Sequence, residues 1–225
     1  MIATRNWRYE YKMVIGNVTL DELKARVLLH PKFFKERYPV RRVNNIYFDT
    51  ADLGNYYDAL SGVNRRSKMR FRWYGEAVSG VRGSLELKER NGMLVSKVTQ
   101  EVNRVFNFDN LNWDEIIENI RIGLTGDLVI EFNYACLPVV INNYYRYYYE
   151  SLDAKYRITL DYNQKSYDQR IYSRPNFYFL NPPYEYIVLE IKVDADKDFK
   201  LNEITNLFPF RVYRNSKYTS GIYWI

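Results

Sequence analysis

The chain has 225 residues, 47% of them hydrophobic and 17% aromatic, so it can bury a core and is too apolar for a disordered tail. Lysine and arginine outnumber aspartate and glutamate by 33 to 27, and the net charge of +6 favours an anionic partner only mildly. A single cysteine and a single histidine exclude a disulfide framework and a Cys/His metal site, so any metal would need carboxylate ligands.

The sequence contains neither a signal-peptide pattern nor a run of about 18 apolar residues. We therefore expect one cytoplasmic domain over residues 1–225 that does not insert into a membrane.

Alternation of apolar and polar residues predicts strands, and spacing of three to four residues predicts helices. In the first half of the chain, strands are predicted at 7–15, 41–50, 65–75, 82–90 and 93–106, and helices at 19–30 and 53–60. Thr19 or Asp21 is the expected cap of the first helix. Gly80 and the Asn-Gly pair at 91–92 provide turns between strands, and the basic stretch 34–42 is expected to be a solvated loop.

In the second half, residues 112–134 predict two helices broken near Gly123 to Gly126. Strands follow at 137–151, 156–163, 165–173 and 184–194, with a short helix at 201–208 before the terminal tail. About eight strands joined mostly by short turns favour an antiparallel barrel or sandwich of the α+β class.

Charged residues recur two positions apart on several predicted strands, and such residues share one face of a strand. The pairs are Glu10 with Lys12, Arg70 with Arg72, Glu86 with Lys88, and Glu190 with Lys192. On any one strand a solvated outer face is the ordinary explanation. Recurrence on four strands, with Arg146, Arg157 and Asp161 added, favours a closed sheet whose charged face points inward. Helices at 19–30, 112–134 and 201–208 would then cover the apolar outer face.

An interior of this kind would gather several cations in a small volume. Two unit charges about 4 Å apart repel by roughly 4 kcal/mol at an effective dielectric near 20, so an anionic ligand would relieve the strain. Arginine forks and mobile lysines suit a triphosphate or polyphosphate better than a single carboxylate. Glu10, Glu86 and Glu190 could share a divalent cation such as Mg²⁺ or Mn²⁺, which takes oxygen ligands and bridges phosphates.

A set of short motifs occurs in a fixed order between Tyr9 and Tyr218. They are "YEYK", "KMRFRWYG", "LELKER", "YYRYYYES" followed by "YRITLD", "VLEIK" and "SKY". Together they resemble the VTC domain, the polyphosphate polymerase domain of vacuolar transporter chaperone complexes, within the CYTH and triphosphate tunnel metalloenzyme group. The resemblance implies an α+β fold, an antiparallel eight-stranded β-barrel forming a triphosphate tunnel, with helices packed outside.

The same resemblance implies roles for individual residues. The catalytic set around the reacting phosphates would be Arg70, Arg72, Lys88 and Arg146. Further substrate contacts would come from Lys12, Lys97, Arg157, Ser216 and Lys217. Glu190 would be the main ligand of Mn²⁺ or Mg²⁺, and Glu10 and Glu86 would bind metal or balance charge.

The implied reaction passes the γ-phosphate of ATP to a growing polyphosphate chain. ATP and polyphosphate are therefore the expected partners, and a membrane protein that exports the product is a further possible one. Nucleic acid is not expected, because the charge is modest and paired within strands instead of forming a basic stripe with exposed aromatics.

Two other functions fit the same residues. One is a CYTH-type triphosphatase that hydrolyses a nucleoside triphosphate or inorganic triphosphate, and the other is a non-catalytic sensor of nucleotide or polyphosphate. Hydrolytic CYTH proteins carry Glu-x-Glu-x-Lys on the first strand, whereas here Arg8 stands two positions before Glu10. That departure favours the polymerase, whose anionic acceptor needs no base to activate water.

Overall fold

The computed structural model of the chain describes residues 5–197 and 199–222. Its strands are β1 (Arg8–Ile15), β2 (Lys35–Asp49), β3 (Arg65–Tyr74), β4 (Val81–Asn91), β5 (Leu94–Phe106), β6 (Leu137–Glu150), β7 (Tyr156–Asp168) and β8 (Ile187–Asp194). All neighbouring strands are antiparallel, and they close into a barrel in the order β1-β5-β4-β3-β2-β6-β7-β8. The eight-stranded antiparallel barrel is confirmed, and the sandwich alternative is wrong.

The helices are α1 (Leu20–Leu28), α2 (Gly54–Ser61), α3 (Trp113–Arg121), α4 (Asp127–Tyr134), α5 (Leu201–Thr205) and α6 (Lys217–Ile222). Thr19 caps α1 in a capping box with Glu22, so two amides that lack helical partners are satisfied reciprocally. The break between α3 and α4 lies where Gly123 and Gly126 adopt positive φ angles of 87° and 59°. Among the residues that the structure describes, no helix is both long enough and apolar enough to cross a membrane.

Two of the apolar clusters among the described residues lie between the barrel wall and helices α1, α3, α4 and α5. In the first, α3 and α4 cover the outer face of β3, β4 and β5, where Phe71 packs in one buried cluster with Ile120 and Phe132. In the second, α1 and α5 cover β1, β7 and β8, where Leu23 joins Ile191. Burial of apolar surface stabilises the fold by about 25 cal/mol per Å². Because the helices lie outside the barrel, the strands bury their apolar face by turning it outward against them, and the charged face is left inside.

Three of the predicted elements are corrected by the structure. Residues 34–42 are not a loop, because β6 extends far enough to pair with them and makes Lys35 onward the exposed first part of β2. Residues 165–173 do not form a separate strand, since β7 runs unbroken through Asn163. This residue has a φ of 50° beside a register shift against β6, which marks a bulge and not a turn. The tail around Tyr218 forms α6.

The ring closes unequally on the two sides of β1. Eight residue pairs join β1 to β8, from Arg8↔Asp194 to Ile15↔Ile187. Among the described residues, only Arg8↔Val95 and Tyr9↔Leu94 join it to β5. Side-chain ion pairs also bridge this short seam: Lys88 of β4 reaches Glu10 across it at 2.5 Å.

Candidate functional site in the barrel interior

Alternate residues of the strands place a dense set of charges inside the barrel. The cations that the sequence suggested as site residues on these strands are Lys12, Arg70, Arg72, Lys88, Lys97 and Arg146, and the acids are Glu10, Glu86 and Glu190. The acids and two of the arginines are buried, with Glu86 2% and Arg146 8% exposed, while Arg70 and the three lysines are partly buried. A buried charge requires a partner, and here the charges pair with one another in three groups.

The first group surrounds Glu86. Arg70 Nη2 lies 2.6 Å from one carboxylate oxygen and Lys97 Nζ lies 2.7 Å from the other, with Arg72 Nη1 at 3.6 Å. Burial alone would raise the pKa of Glu86, but Arg70, Arg72 and Lys97 outweigh it and hold that pKa well below its usual range. The guanidinium of Arg70 also donates to the Tyr47 hydroxyl at 3.1 Å, which orients it.

The second group joins Glu10 and Glu190. Glu10 accepts from Lys88 at 2.5 Å and from Arg8 at 2.7 Å, while Glu190 lies 2.9 Å from Lys192. Burial and the neighbouring Glu190 raise the pKa of Glu10, yet Lys88 and Arg8 bring it down to about 2. Burial lowers the pKa of Lys192 to about 8, with Glu190 acting in the opposite direction. Lys12 lies 3.6 Å from Glu190 and also donates to the Asn215 carbonyl at 2.9 Å.

The third group is centred on Asp161, which is completely buried. Its two oxygens accept from Arg146 Nε at 2.5 Å and Nη2 at 2.7 Å, and Lys217 of α6 donates to it at 2.5 Å. Burial would raise the pKa of Asp161, but Arg146 and Lys217 depress it. The sequence placed Asp161 in the cavity wall without a role, although its position four residues after Arg157 on one strand face was the available signal.

Two of the suggested substrate contacts lie away from these groups. Arg157 forms an ion pair with Asp194, and its side chain is 34% exposed at the end of the barrel where β7 begins. Ser216 accepts a hydrogen bond of 2.7 Å from Lys68. Lys68 was not identified from the sequence, although it lies on the same strand face as Arg70 and Arg72, two residues before the first of them.

The glutamates suggested as metal ligands do not form one group. Glu86 lies among Arg70, Arg72 and Lys97, and the described part of the chain holds no group of three acidic, histidine or cysteine side chains close enough for a metal cage. Glu10 and Glu190 are neighbours, and the charge of Glu190 raises the pKa of Glu10. Opposite Glu190 in the β7–β8 register lies Thr159, whose buried hydroxyl has no hydrogen-bond partner among the described residues.

These oxygens fit one type of divalent site. Mg²⁺ is commonly held by one or two carboxylates together with substrate phosphate oxygens, without an all-protein cage. Glu190, Glu10 and the hydroxyl of Thr159 fit such a shared site chemically. A preformed site that includes Glu86 does not fit the arrangement.

The interior can neutralise a polyanion without titrating its arginines. Carboxylate partners raise the pKa of both Arg70 and Arg146 in spite of burial, so both stay charged. The single histidine cannot serve the interior, because His30 packs outside the barrel between Phe34 and Phe208. The chemistry available inside is therefore charge stabilisation and positioning.

Comparison with known proteins gives a family match. The family model of the VTC domain matches residues 7–224. Among curated proteins, no relative matches the chain.

Three solved structures match most of the chain at low sequence identity. A candidate adenylate cyclase from Vibrio parahaemolyticus is 9% identical, with a TM-score of 0.47 over 84% of this chain and 78% of that one. A Pyrococcus horikoshii protein is 14% identical, with a TM-score of 0.41 over 88% and 82%. A Hippeastrum protein, described as a candidate adenylyl cyclase with a dominant triphosphatase activity, is 13% identical, with a TM-score of 0.43 over 96% and 94%.

Proposed function

Because the chain belongs to the VTC domain family, we propose that it is a polyphosphate polymerase that transfers the γ-phosphate of ATP to a polyphosphate chain inside the barrel. The observation that carries the proposal is the pairing of Arg8 with Glu10. Arg8 donates to one oxygen of Glu10 from Nε at 3.0 Å and from Nη2 at 2.7 Å. The first strand therefore offers one neutralised acid where hydrolytic CYTH proteins carry two glutamates.

Substrate binding is an exchange of partners in this proposal. Glu86 and Asp161 neutralise Arg70, Arg72 and Arg146 before ligand arrives, and phosphate oxygens then take over part of those contacts. Guanidinium forks bind phosphate oxygens in pairs, which fixes the orientation of the phosphate as well as its charge. Lys88 and Lys97 supply further positive charge beside the same phosphates.

The transfer step needs little from the protein beyond position and charge. An oxygen at the end of the polyphosphate chain attacks the γ-phosphorus, the bond between γ-phosphorus and the bridging oxygen breaks, and ADP leaves with that oxygen. The attacking oxygen is already anionic, so no side chain has to remove a proton. Arg70, Arg72, Lys88 and Arg146 stabilise the charge that spreads over the transferred group.

A divalent ion fits this arrangement as a third source of positive charge. Glu190 and Glu10 would hold Mn²⁺ or Mg²⁺, with the Thr159 hydroxyl beside them. When bound, the ion supplies charge neutralisation on the phosphate oxygens.

The test is direct. Purified protein is incubated with ATP and Mn²⁺ or Mg²⁺, with and without a short polyphosphate primer, and both ADP and polymer are measured. We expect one ADP to be released for each phosphate added to the polymer. Both products should be strongly reduced in Arg70→Ala and Glu190→Ala. Arg104→Ala is the matched control, because Arg104 is exposed on β5 and no hydrogen bond or ion pair involves it within the described residues.

Each outcome has a distinct meaning. Free phosphate without polymer would replace the polymerase with a triphosphatase. Tight ATP binding without ADP release under any of the metals would indicate a sensor. Full synthesis by Arg70→Ala would remove Arg70 from the catalytic set.

A further inference from the structure

Tyr218 ends the Ser-Lys-Tyr motif but contributes no group to the three clusters of charge in the barrel interior. Its side chain is 1% exposed, and its ring centroid lies 5.2 Å from that of Tyr47. Its hydroxyl donates a hydrogen bond to Asp49, the completely buried last residue of β2. The motif that brings Ser216 and Lys217 to the interior therefore ends in a buried contact with β2.

The carboxylate of Asp49 is fixed by backbone amides. One of its oxygens accepts from the amides of Thr50 at 2.8 Å and Asn55 at 3.0 Å, and the other accepts from the amide of Tyr56 at 3.0 Å. Asn55 and Tyr56 lie in the first turn of α2, whose N-cap residue makes no side-chain capping bond. Asp49 therefore takes over the capping of α2 and presents a rigid acceptor to Tyr218.

The bond from Tyr218 to Asp49 is of a strong type, because a carboxylate is a better acceptor than a neutral oxygen. Burial and the charge of Asp49 raise the pKa of Tyr218 well above its ordinary value, so the hydroxyl keeps the proton that it donates. The bond fixes one residue of α6, a helix of only six residues. So short a helix depends on tertiary contacts, because it would not be stable alone in water.

The residue that this bond places is Lys217, the direct neighbour of Tyr218 in α6. Lys217 Nζ lies 2.5 Å from a carboxylate oxygen of Asp161 and 4.6 Å from the ring centroid of Tyr144. Burial lowers the pKa of Lys217, but Asp161 outweighs burial and raises it overall, so the ammonium stays charged. A rotation of α6 about its axis would carry this ammonium away from Asp161.

The far end of α6 has anchors of its own. Asn181 Nδ2 donates to the Gly221 carbonyl at 2.9 Å. A Cβ at Gly221 would lie 2.8 Å from Val140 Cγ2, so the glycine lets α6 approach β6 closely. These contacts hold α6 against the barrel without the Tyr218 hydroxyl, which acts at the end of the helix that carries Lys217.

We propose that Asp49 and Tyr218 are positioning residues that hold Lys217 where it binds a phosphate of the substrate. The inference rests on the proposed function and deepens it. Neither member of the pair touches substrate in this proposal: Asp49 fixes the Tyr218 hydroxyl, and Tyr218 fixes the turn of α6 that presents the Lys217 ammonium.

A double-mutant cycle tests whether Tyr218 acts through Lys217. The affinity of the full chain for tripolyphosphate is measured by calorimetry in the wild type, Tyr218→Phe, Lys217→Gln and the double variant. Phenylalanine keeps the ring beside Tyr47 and leaves Asp49 its three backbone amides, so Tyr218→Phe should fold. We expect Tyr218→Phe to lose about tenfold in affinity in the wild-type background and less than about twofold in the Lys217→Gln background. A second cycle with Asp49→Asn, which alters the bond from the acceptor side, should show the same dependence on Lys217.

Turnover separates positioning from a general loss of structure. With ATP as substrate, Tyr218→Phe should raise KM by a similar factor and keep kcat close to that of the wild type, because Lys217 lies outside the set assigned to the reacting phosphates. Tyr57→Phe removes the hydroxyl of an exposed tyrosine of α2 and should change neither constant. An equal loss of affinity in both backgrounds, no loss in the wild-type background, or a lower kcat at unchanged KM overturns the role of the pair.

The positioning pair and the polymerase fail separately. A wild type that makes no polymer, but in which the effect of Tyr218→Phe on tripolyphosphate affinity disappears with Lys217, would sink the polymerase and keep the pair. A wild type that makes polymer while Tyr218→Phe binds tripolyphosphate normally would do the reverse.

Discussion

Replacing Glu86 by glutamine removes the shared partner of three buried cations while keeping the shape of the side chain. Glu86 is 2% exposed, and the side chains of Arg70 and Arg72 are 13% and 7% exposed. The glutamine amide can still accept hydrogen bonds but carries no charge. Arg70, Arg72 and Lys97 would then repel one another with nothing between them.

Breaking a buried ion pair by removing one partner costs about 3–5 kcal/mol. Since a chain of 150–250 residues changes its melting temperature by about 2–4 °C per kcal/mol, we expect Glu86→Gln to melt about 6–20 °C lower than the wild type. Tripolyphosphate should recover much of that loss. A ligand present at 100 times its dissociation constant stabilises by about 2.7 kcal/mol, and the variant should bind more tightly than the wild type because no carboxylate competes.

The assay is thermal unfolding of wild type, Glu86→Gln and Glu101→Gln, with and without tripolyphosphate. Glu101 is an exposed glutamate on β5 without an ion pair among the described residues, which makes it the matched control. The reasoning fails if Glu86→Gln has the same melting temperature as Glu101→Gln. It also fails if tripolyphosphate raises the melting temperature of Glu86→Gln by less than that of the wild type.

Three further predictions concern single residues. In the folded protein Lys192 loses its proton as the pH rises through its lowered pKa of about 8, whereas in the unfolded chain it keeps the proton up to its ordinary pKa of 10.5. Between these two pH values the unfolded state binds more protons, so the free energy of unfolding rises with pH. Tripolyphosphate affinity should weaken over the same range in the wild type and stay level in Lys192→Arg; titration calorimetry from pH 7 to 10 decides. Thr159→Val removes an unpartnered hydroxyl, so the melting temperature should not fall. The concentration of Mn²⁺ needed for half-maximal ADP release should rise. An unchanged metal requirement would show that Thr159 does not contribute to metal binding. Phe132→Ala, which removes a fully buried ring 5.1 Å from Phe48, should lower the free energy of unfolding by about 3–5 kcal/mol in urea and leave tripolyphosphate affinity intact; a loss of affinity would mean that the helices also shape the interior.

The alternation of charged and apolar residues predicted most of the fold. A closed barrel with its charged face inward imposes the same period of two residues on every strand. The alternation of Glu86 and Lys88 with Leu85 and Leu87 shows the principle, since one set faces the interior and the other faces α3 and α4. The pattern could not place the bulge at Asn163. Asparagine tolerates the positive φ that the bulge requires, but it is also common in turns, so the sequence predicted a turn there.

The site was less predictable than the fold because pairing depends on strand order around the ring. Arg70 and Glu86 become partners only through the β3–β4 register, and Lys217 reaches Asp161 only because the tail folds into α6. The three glutamates looked equivalent on their strands. The register separates Glu86 from Glu10 and Glu190, and no single-strand pattern contains that information.

The short seam between β1 and β5 has a consequence for how the ring opens. Backbone amides exchange hydrogen with solvent at rates set by the free energy of local opening, and few hydrogen bonds mean easy opening. Within the described residues, two residue pairs hold this seam. Lys88 crosses it to Glu10, and nearby Arg5 forms ion pairs with both Glu89 and Asp127. A phosphate that draws Lys88 away from Glu10 would weaken the seam from inside, so amides near Tyr9 and Leu94 should exchange faster in the complex even as the rest of the barrel is protected.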